Sequence, residues 1–486
     1  MQHINGVTRS QVTLFPESVE DYIDPENPVR FLDVFVDELD IESLGFTHSL
    51  VKETGRPPYH PKDLLKLYLY GYLNRIRSSR LLERETKRNL EVIWLLKRLS
   101  PDHKTISNFR KDNKRALKGV FKEFVLLCKG LALFSAELIA IDSTKFKASN
   151  SRSRVKDKSQ LNKVVVGIEE SIKQYIAQLD AEDSESTSSD SGIGSINKED
   201  LQEKINRLKE EKKQYKSSLD EMNSSGDKYI SLTDSDCRLM KNEGVVKPSY
   251  NVHAAVDSKH SLIVDYEISQ NAADNNYLPD LAKSAKENLD VSELTVCADA
   301  GYYDTTDIKE CEDQSINTYV PIPEPKISKK TQVPQPAYYH DCFIYDEISD
   351  TYQCPQGQTM RYFSTTKKSD HRRIRLYRTP VCKECVGRSD CTTSPRGRYI
   401  NRWEHEEVLD RLKQRMKENP SIMKLRKQII EHIFGTLKKI WGYHSFLLRG
   451  LEDISSEITL MCLTYNIRRV INIMGTQRLI TYLHAK

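Results

Sequence analysis

A mixed α/β fold built from several segments is what the sequence predicts, and three observations predict it. Apolar residues keep helical spacing through most of the first 134 positions. Two short apolar runs of strand type, 138–141 and 294–298, each meet an aspartate. A basic, Cys-bearing stretch then precedes a long amphipathic helix. At 486 residues the chain has room for two to four domains of roughly 100–200 residues.

Residues 1–134 read as a helical N-terminal domain. Pro28 and Pro61 suit helix starts, and apolar residues recur at helical steps in DLLKLYLYGYL (63–73) and LEVIWLLKRL (90–99). Ser100-Pro101-Asp102 opens a further helix that carries Lys104, Thr105, Asn108, Arg110 and Lys111. Short helices followed by one rich in such residues fit a helix-turn-helix-like DNA-binding region, with Lys104 and Arg110 as candidate contacts, and equally an ordinary bundle with a polar exterior. Residues 135–159 hold a buried strand ending at Asp142, followed by Lys145 and other cations that suit a site beside phosphates. Residues 160–228 read as a helical-hairpin or coiled-coil insertion, with arms 168–179 and 201–219 around the Ser/Gly-rich DSESTSSDSGIGS (183–195). Residues 229–305 return to strands, with a β-hairpin across Asp257–His260 and a buried strand ending at Asp299. Residues 306–400 read as a small Cys-rich β insertion, and 401–486 as C-terminal helices.

The net charge of +4 conceals segregation. Arg361–Arg402 holds twelve Lys/Arg against three acids and Arg411–Arg449 ten against two, whereas Glu169–Glu221 holds fourteen acids against eight bases. Such basic faces gain affinity for a polyanion through counterion release. No apolar run reaches the roughly 18–20 residues of a membrane span, and the N-terminus shows no apolar run bounded by a cleavage site. A cytoplasmic, nucleoid-associated location without membrane contact is therefore expected, with the ten cysteines reduced. No G-x4-G-K-[ST] or H-E-x-x-H pattern is present, which argues against an ATPase engine and a paired-His metal site.

The chemistry is expected from three acids. In SIMKLRKQIIEHIFGTLKKIWGY (421–443), Ile422, Leu425, Ile429, Ile433, Leu437 and Ile440 form an apolar stripe. Lys424, Lys427, Glu431, Gly435 and Lys438 form a second, cationic face, and Gly435 leaves space for a backbone to approach. Two strand-end aspartates and a helical glutamate are the oxygen-only, anionic donors that a pair of hard divalent cations requires.

These segments resemble the DDE-type transposases of bacterial insertion sequences, in particular the group with a Cys-rich insertion before the final Glu. The likeness is carried by LFPESVEDYIDPENPVRFLDVFVDEL (14–39), HKTISNFRKDN (103–113), AIDSTKFKASNS (140–151), TDSDCRLMK (233–241), YNVHAAVD (250–257), ADAGYYD (298–304) and IIEHIFGTLKKIWGYHSFLLRG (429–450). The resemblance implies an RNase H-like catalytic domain in which Asp142, Asp299 and Glu431 are catalytic and hold two Mg²⁺ or Mn²⁺ ions. It also implies DNA contacts from an Arg before the Glu and a Lys seven residues after it. Lys438 matches the Lys; Arg426 is the carry-over for the Arg, with Lys427 the nearer neighbour. Double-stranded transposon-end repeats and target DNA are the implied partners, with a homodimer on DNA.

Cys354, Cys382, Cys385 and Cys391 form C-x27-C-x2-C-x5-C, a set able to close a tetrahedral structural Zn²⁺ site, with Cys342 as a substitute ligand and free structural thiols or a redox function as the alternatives. Cys128, Cys237, Cys297, Cys311 and Cys462 read as core or incidental residues. The resulting expectation is an enzyme that cleaves insertion-sequence ends by two-metal hydrolysis and joins the 3′-hydroxyls to target DNA. The rivals are a catalytically inactive, zinc-stabilised DNA-binding regulator and a stand-alone RNase H-like nuclease.

Overall fold

The structure, a computed structural model, describes residues 18–50, 57–185, 198–323, 333–368 and 372–485. The extreme N-terminus and most of the Ser/Gly-rich 183–195 lie outside the described residues. The chain divides into two compact units: residues 1–274, 284–291 and 427–486, and residues 275–283 and 292–426.

The first unit opens with helices α1 (Pro28–Asp37), α2 (Pro61–Leu73), α3 (Ser79–Arg88), α4 (Leu90–Leu95), α5 (His103–Asp112) and α6 (Lys114–Gly130). Their starts follow local chemistry. Asn27 and His60 cap helices whose first residue is proline, and the Asp102 carboxylate accepts the N–H groups of Lys104 and Thr105. The rings of Phe31 and Phe35 stack on each other, and each meets Phe124 edge to face, between α1 and α6. Helix α14 (Leu451–Met474) is buried along most of its length against α2 and α6, and α15 (Thr476–His484) packs on α1.

The sheet of this unit is built on β5 (Val245–Asp257). Strand β1 (Leu138–Lys147) pairs antiparallel along one edge, while β4 (Arg238–Asn242) and β6 (Ile263–Ser269) share the other. Strand β1 does not end at Asp142 as the apolar run suggests. It continues to Lys147 because Ser143–Lys147 pair with Ser249–His253 and Phe146 is fully buried. The strands β2 (Val155–Asp157) and β3 (Tyr229–Ser231) pair with each other, and between them run α7 (Lys158–Glu185) and α8 (Lys198–Ser225). Ile168, Ile172 and Ile205 form the core between these two helices, and Leu161, Met222 and Ile230 bind their base to β3.

The second unit contains β7 (Leu294–Ala298) and β8 (Ile316–Tyr319), parallel and joined through α10 (Thr305–Asp313). The stretch from 306, expected to be β-rich, thus opens with a helix and a parallel strand. A five-stranded antiparallel sheet follows: β9 (Ile344–Asp346), β10 (Thr351–Gln353), β11 (Thr359–Lys367), β12 (Arg373–Arg378) and β13 (Ile400–Trp403) in sequential order. Phe343, Tyr352, Met360, Tyr377 and Ile400 form its core. Trp403 packs with α12 (Glu406–Glu418) through Val408, Leu409 and Leu412. Helices α9 (Leu278–Leu289) and α13 (Ile422–Gly435) each cross a division between the units, and the short α11 (Arg388–Cys391) carries the last of the clustered cysteines.

Candidate active site

Asp142 sits half-buried in the middle of β1, and one of its carboxylate oxygens accepts the N–H of Ser143 at 2.7 Å. Strand alternation places Asp142, Thr144 and Phe146 on one face and Ser143 and Lys145 on the other. That second face holds a polar network. Asp274 accepts from Ser143 Oγ at 2.6 Å and from Asn251 Nδ2 at 2.7 Å, and Lys145 Nζ lies 3.3 Å from the same oxygen. Burial works to raise the Asp274 carboxyl, but the Ser143 and Asn251 hydrogen bonds and the Lys145 charge outweigh it and hold it below the ordinary range. His253, opposite Ser143, is held well below the usual imidazole range by burial. Asp274, Asn251 and His253 escaped the sequence reading; the only signal was their position in YNVHAAVD and in the polar run after β6.

Asp299 ends β7 and caps the short turn Ala300–Tyr302, its Oδ1 accepting the Gly301 N–H at 2.8 Å. Glu431, on α13, is exposed and, among the described residues, has no hydrogen-bond or ionic partner. The donor set is the hard oxygen type that fits a divalent ion, and the Glu431 carboxylate is open to one. Among the described residues, however, no three His, Cys, Asp or Glu side chains stand within joint reach of one ion.

The candidate DNA contacts divide by exposure. Lys104 and Lys427 are exposed. Arg110 is a correction: it is 5% exposed, donates to the Tyr72 hydroxyl at 3.1 Å and stacks on Tyr68, because α5 turns that face into the bundle. Arg426 is likewise buried, so Lys427 rather than Arg426 presents its charge to solvent from α13. Lys145 is committed to Asp274. Lys438 is half-buried, with Thr144 Oγ1 and the Lys145 carbonyl as its acceptors. In the expected apolar stripe Ile429, Ile433 and Leu437 are buried, but Leu425 and Ile440 are exposed and Ile430 is buried in their place.

Two family models match the chain. Residues 17–112 match a transposase domain (DUF772), and residues 231–467 match the transposase DDE domain; together they take in more than half of the sequence. The chain belongs to the DDE transposases of insertion sequences. No curated protein and no solved structure matches it. In this transposase Asp299, Glu431 and the four clustered cysteines fall inside the DDE match, whereas Asp142 lies between the two matched segments.

The transposase also carries a cysteine-lined cavity in its second unit. Cys354, Cys382, Cys385 and Cys391 line one cavity of about 30 Å³ with Tyr338, Phe343, Met360 and Arg398. The Gln358 N–H donates to Cys354 Sγ at 3.3 Å, and Gly397 packs against Cys382 so closely that a Cβ there would come within 2.9 Å. Burial, helped by the neighbouring thiols of Cys382, Cys354 and Cys385 and opposed by the Arg398 charge, leaves Cys391 raised above the usual thiol value. Lining one cavity and closing to ligation distance are different conditions; the first is met here and the second is not. Cys342 is exposed and is not among the lining residues, while Cys128, Cys237, Cys297, Cys311 and Cys462 are all buried. No helix among the described residues is long and apolar enough to cross a membrane.

Proposed function

We propose that this transposase binds the ends of its insertion sequence as a homodimer, cleaves them by phosphodiester hydrolysis and joins the 3′-hydroxyls to target DNA. The observation that carries the reading is the match of the DDE domain over 231–467, which contains the unpartnered, solvent-facing carboxylate of Glu431 and the strand-end Asp299. Asp142, Asp299 and Glu431 are the oxygen donors for Mg²⁺ or Mn²⁺ in an RNase H-like domain. Two such ions, when bound, activate the attacking oxygen and neutralise charge on the leaving one. The chain's own part is positional. Asp142 is held in a strand whose register is fixed by β5, its carboxylate oriented by the Ser143 N–H, while Lys427 and Lys104 offer exposed charges to phosphates.

Replacing Asp142, Asp299 or Glu431 by Ala abolishes Mg²⁺-dependent cleavage of end DNA and leaves end binding largely intact. Glu431→Gln is the cleanest case: an exposed, unpaired side chain, so stability changes by less than about 0.5 kcal/mol while cutting is lost. Normal cutting by this variant would overturn the assignment. Binding without cutting by the wild type would point to the regulator, and cutting without strand-transfer products to a plain nuclease.

In the same reading Cys354, Cys382, Cys385 and Cys391 hold a structural Zn²⁺, which their convergence on a small apolar cavity and the N–H bond to Cys354 Sγ support. Metal analysis of the purified chain gives about one zinc per molecule, as four thiolates in one site imply, and a chelator lowers the thermal midpoint. A zinc-free chain whose melting a chelator does not change refutes it.

A further inference from the structure

Beyond Gly435 the backbone of α13 leaves α geometry. Thr436–Ile440 forms a π-helical turn, in which the Trp441 N–H donates to the Thr436 carbonyl at 2.8 Å. A π turn holds one residue more than an α turn, so the positions beyond it are displaced around the axis by about one residue. In an uninterrupted α-helix Lys438, seven positions past Glu431, would share its face. Here it does not. Lys438 Nζ donates to Thr144 Oγ1 at 2.7 Å and to the Lys145 carbonyl at 2.6 Å, and lies 4.8 Å from the centre of the Phe146 ring. Burial pushes its ammonium down to about 8. Lys439, one residue on, is exposed and, among the described residues, has no carboxylate within ion-pair distance. It extends the exposed series Lys424, Lys427 and Glu431.

The docking of Lys438 is part of a longer seam. Past the π turn the Lys147 N–H donates to the His444 carbonyl at 3.2 Å, the Phe446 N–H donates to the Lys147 carbonyl at 3.0 Å, and the rings of Phe146 and Phe446 stand 5.3 Å apart. The segment that follows Glu431 is thus bonded along the second half of the strand that carries Asp142, on the side chains of the same face.

We infer that Lys439, not Lys438, is the cation that meets a DNA phosphate beside Glu431, and that Lys438 is a positioning residue that fixes the Glu431 helix to the Asp142 strand. This rests on the reading of the chain as a transposase that cuts DNA ends. Two readouts separate the roles. Titrations of a duplex carrying the element's own terminal repeat, over a range of salt concentrations, show a slope of log K against log salt smaller by about one for Lys439→Gln. The same slope is unchanged for Lys438→Met. Single-turnover Mg²⁺-dependent cleavage by Lys438→Met is slower by about 100-fold at saturating DNA, the size of loss that a small misplacement of a reacting group produces. Thr144→Val removes the acceptor but keeps the lysine, and slows cleavage in the same sense; it carries the test if Lys438→Met does not fold.

A reduced salt slope for Lys438→Met with an unchanged one for Lys439→Gln overturns the inference. So does wild-type cleavage by both Lys438→Met and Thr144→Val. A wild-type chain that neither binds nor cuts its end DNA overturns the transposase reading as well, and so is told apart from failure of the lysine assignment alone.

Discussion

Glu457 has no solvent exposure, yet it is held by two N–H donors, that of Leu447, which reaches both carboxylate oxygens, and that of Leu448, and by an ion pair with the guanidinium of Arg77 at 3.5 Å. Burial pushes its carboxyl up, against the pull of Arg110 and Arg77. Arg77 also stacks on Tyr443 and donates to the Ser445 carbonyl, so this one carboxylate organises the segment that follows the π turn. Glu457→Ala leaves Arg77 and two backbone N–H groups without their partner and costs about 3–5 kcal/mol in urea unfolding. Glu457→Gln costs less, because an amide oxygen still accepts from Leu447 or Leu448. A loss from Ala no greater than that from Gln would show that the carboxylate does not organise the segment. His253 gives a pH signature at the same scale. Its imidazole stays neutral in the fold, while in the unfolded chain it gains a proton as pH falls below 6.5. The unfolded state then binds more protons, so stability falls as pH falls from 6.5. Asp274, also lowered, contributes stability that is lost only further down, as pH falls below its ordinary value of 3.8. Denaturation at pH 7.5 and pH 5 should show a smaller difference in His253→Gln than in wild type; equal differences would assign the slope to other groups.

At the scale of elements, the sequence is legible where one physical signal dominates. The caps Asn27 and Asp102, the buried run before Asp299 and the amphipathic α7 and α8 all declare themselves locally. The extent of β1 does not. Ser143–Lys147 is polar at every second residue, and only pairing with a strand more than a hundred residues away makes it a strand. The π turn is silent too, because TLKKI has ordinary helix formers and its cause is tertiary: the bonding of Lys438, His444 and Phe446 to β1. The three acids could be picked out, but Arg110 and Arg426 could not be told from surface cations without knowing which helix face is covered. Gly435 sits at the start of the π turn, and a Cβ there would meet nothing within 4 Å. In the free protein Gly435→Ala therefore raises stability by about 0.5–1 kcal/mol through helix propensity. If the space serves an approaching DNA backbone beside Glu431, the same variant binds end DNA more weakly. A higher thermal midpoint with unchanged DNA affinity would show that the open space at Gly435 does not serve DNA approach.

For the whole molecule, the near-neutral total is a balance between segments that the topology keeps apart in sequence but that can be separated in experiment. Residues 158–228 carry a net −4 and enter and leave through β2 and β3, where Asp157 faces Tyr229 in an antiparallel pair. That pairing makes the whole helical hairpin a loop between two adjacent strand ends. A two-residue Asn-Gly turn closes such a gap with the twist the strands already have. Excision in this way uncovers Ile230, which packs on Leu161 and Met222, at a cost of up to about 3 kcal/mol that Ile230→Thr relieves in part. The sheet on β5 takes no strand from the described residues of the hairpin, so the shortened chain still folds. Its DNA affinity then reads the electrostatic part of the hairpin's role. Screening acts over about 10 Å at 0.1 M salt, so removal of net negative charge tightens end binding at low salt and the gain fades towards physiological salt. A gain that persists at high salt would mean that the hairpin blocks DNA by contact rather than by charge. Loss of paired-end complexes with single-end binding retained would make it the element through which two copies meet.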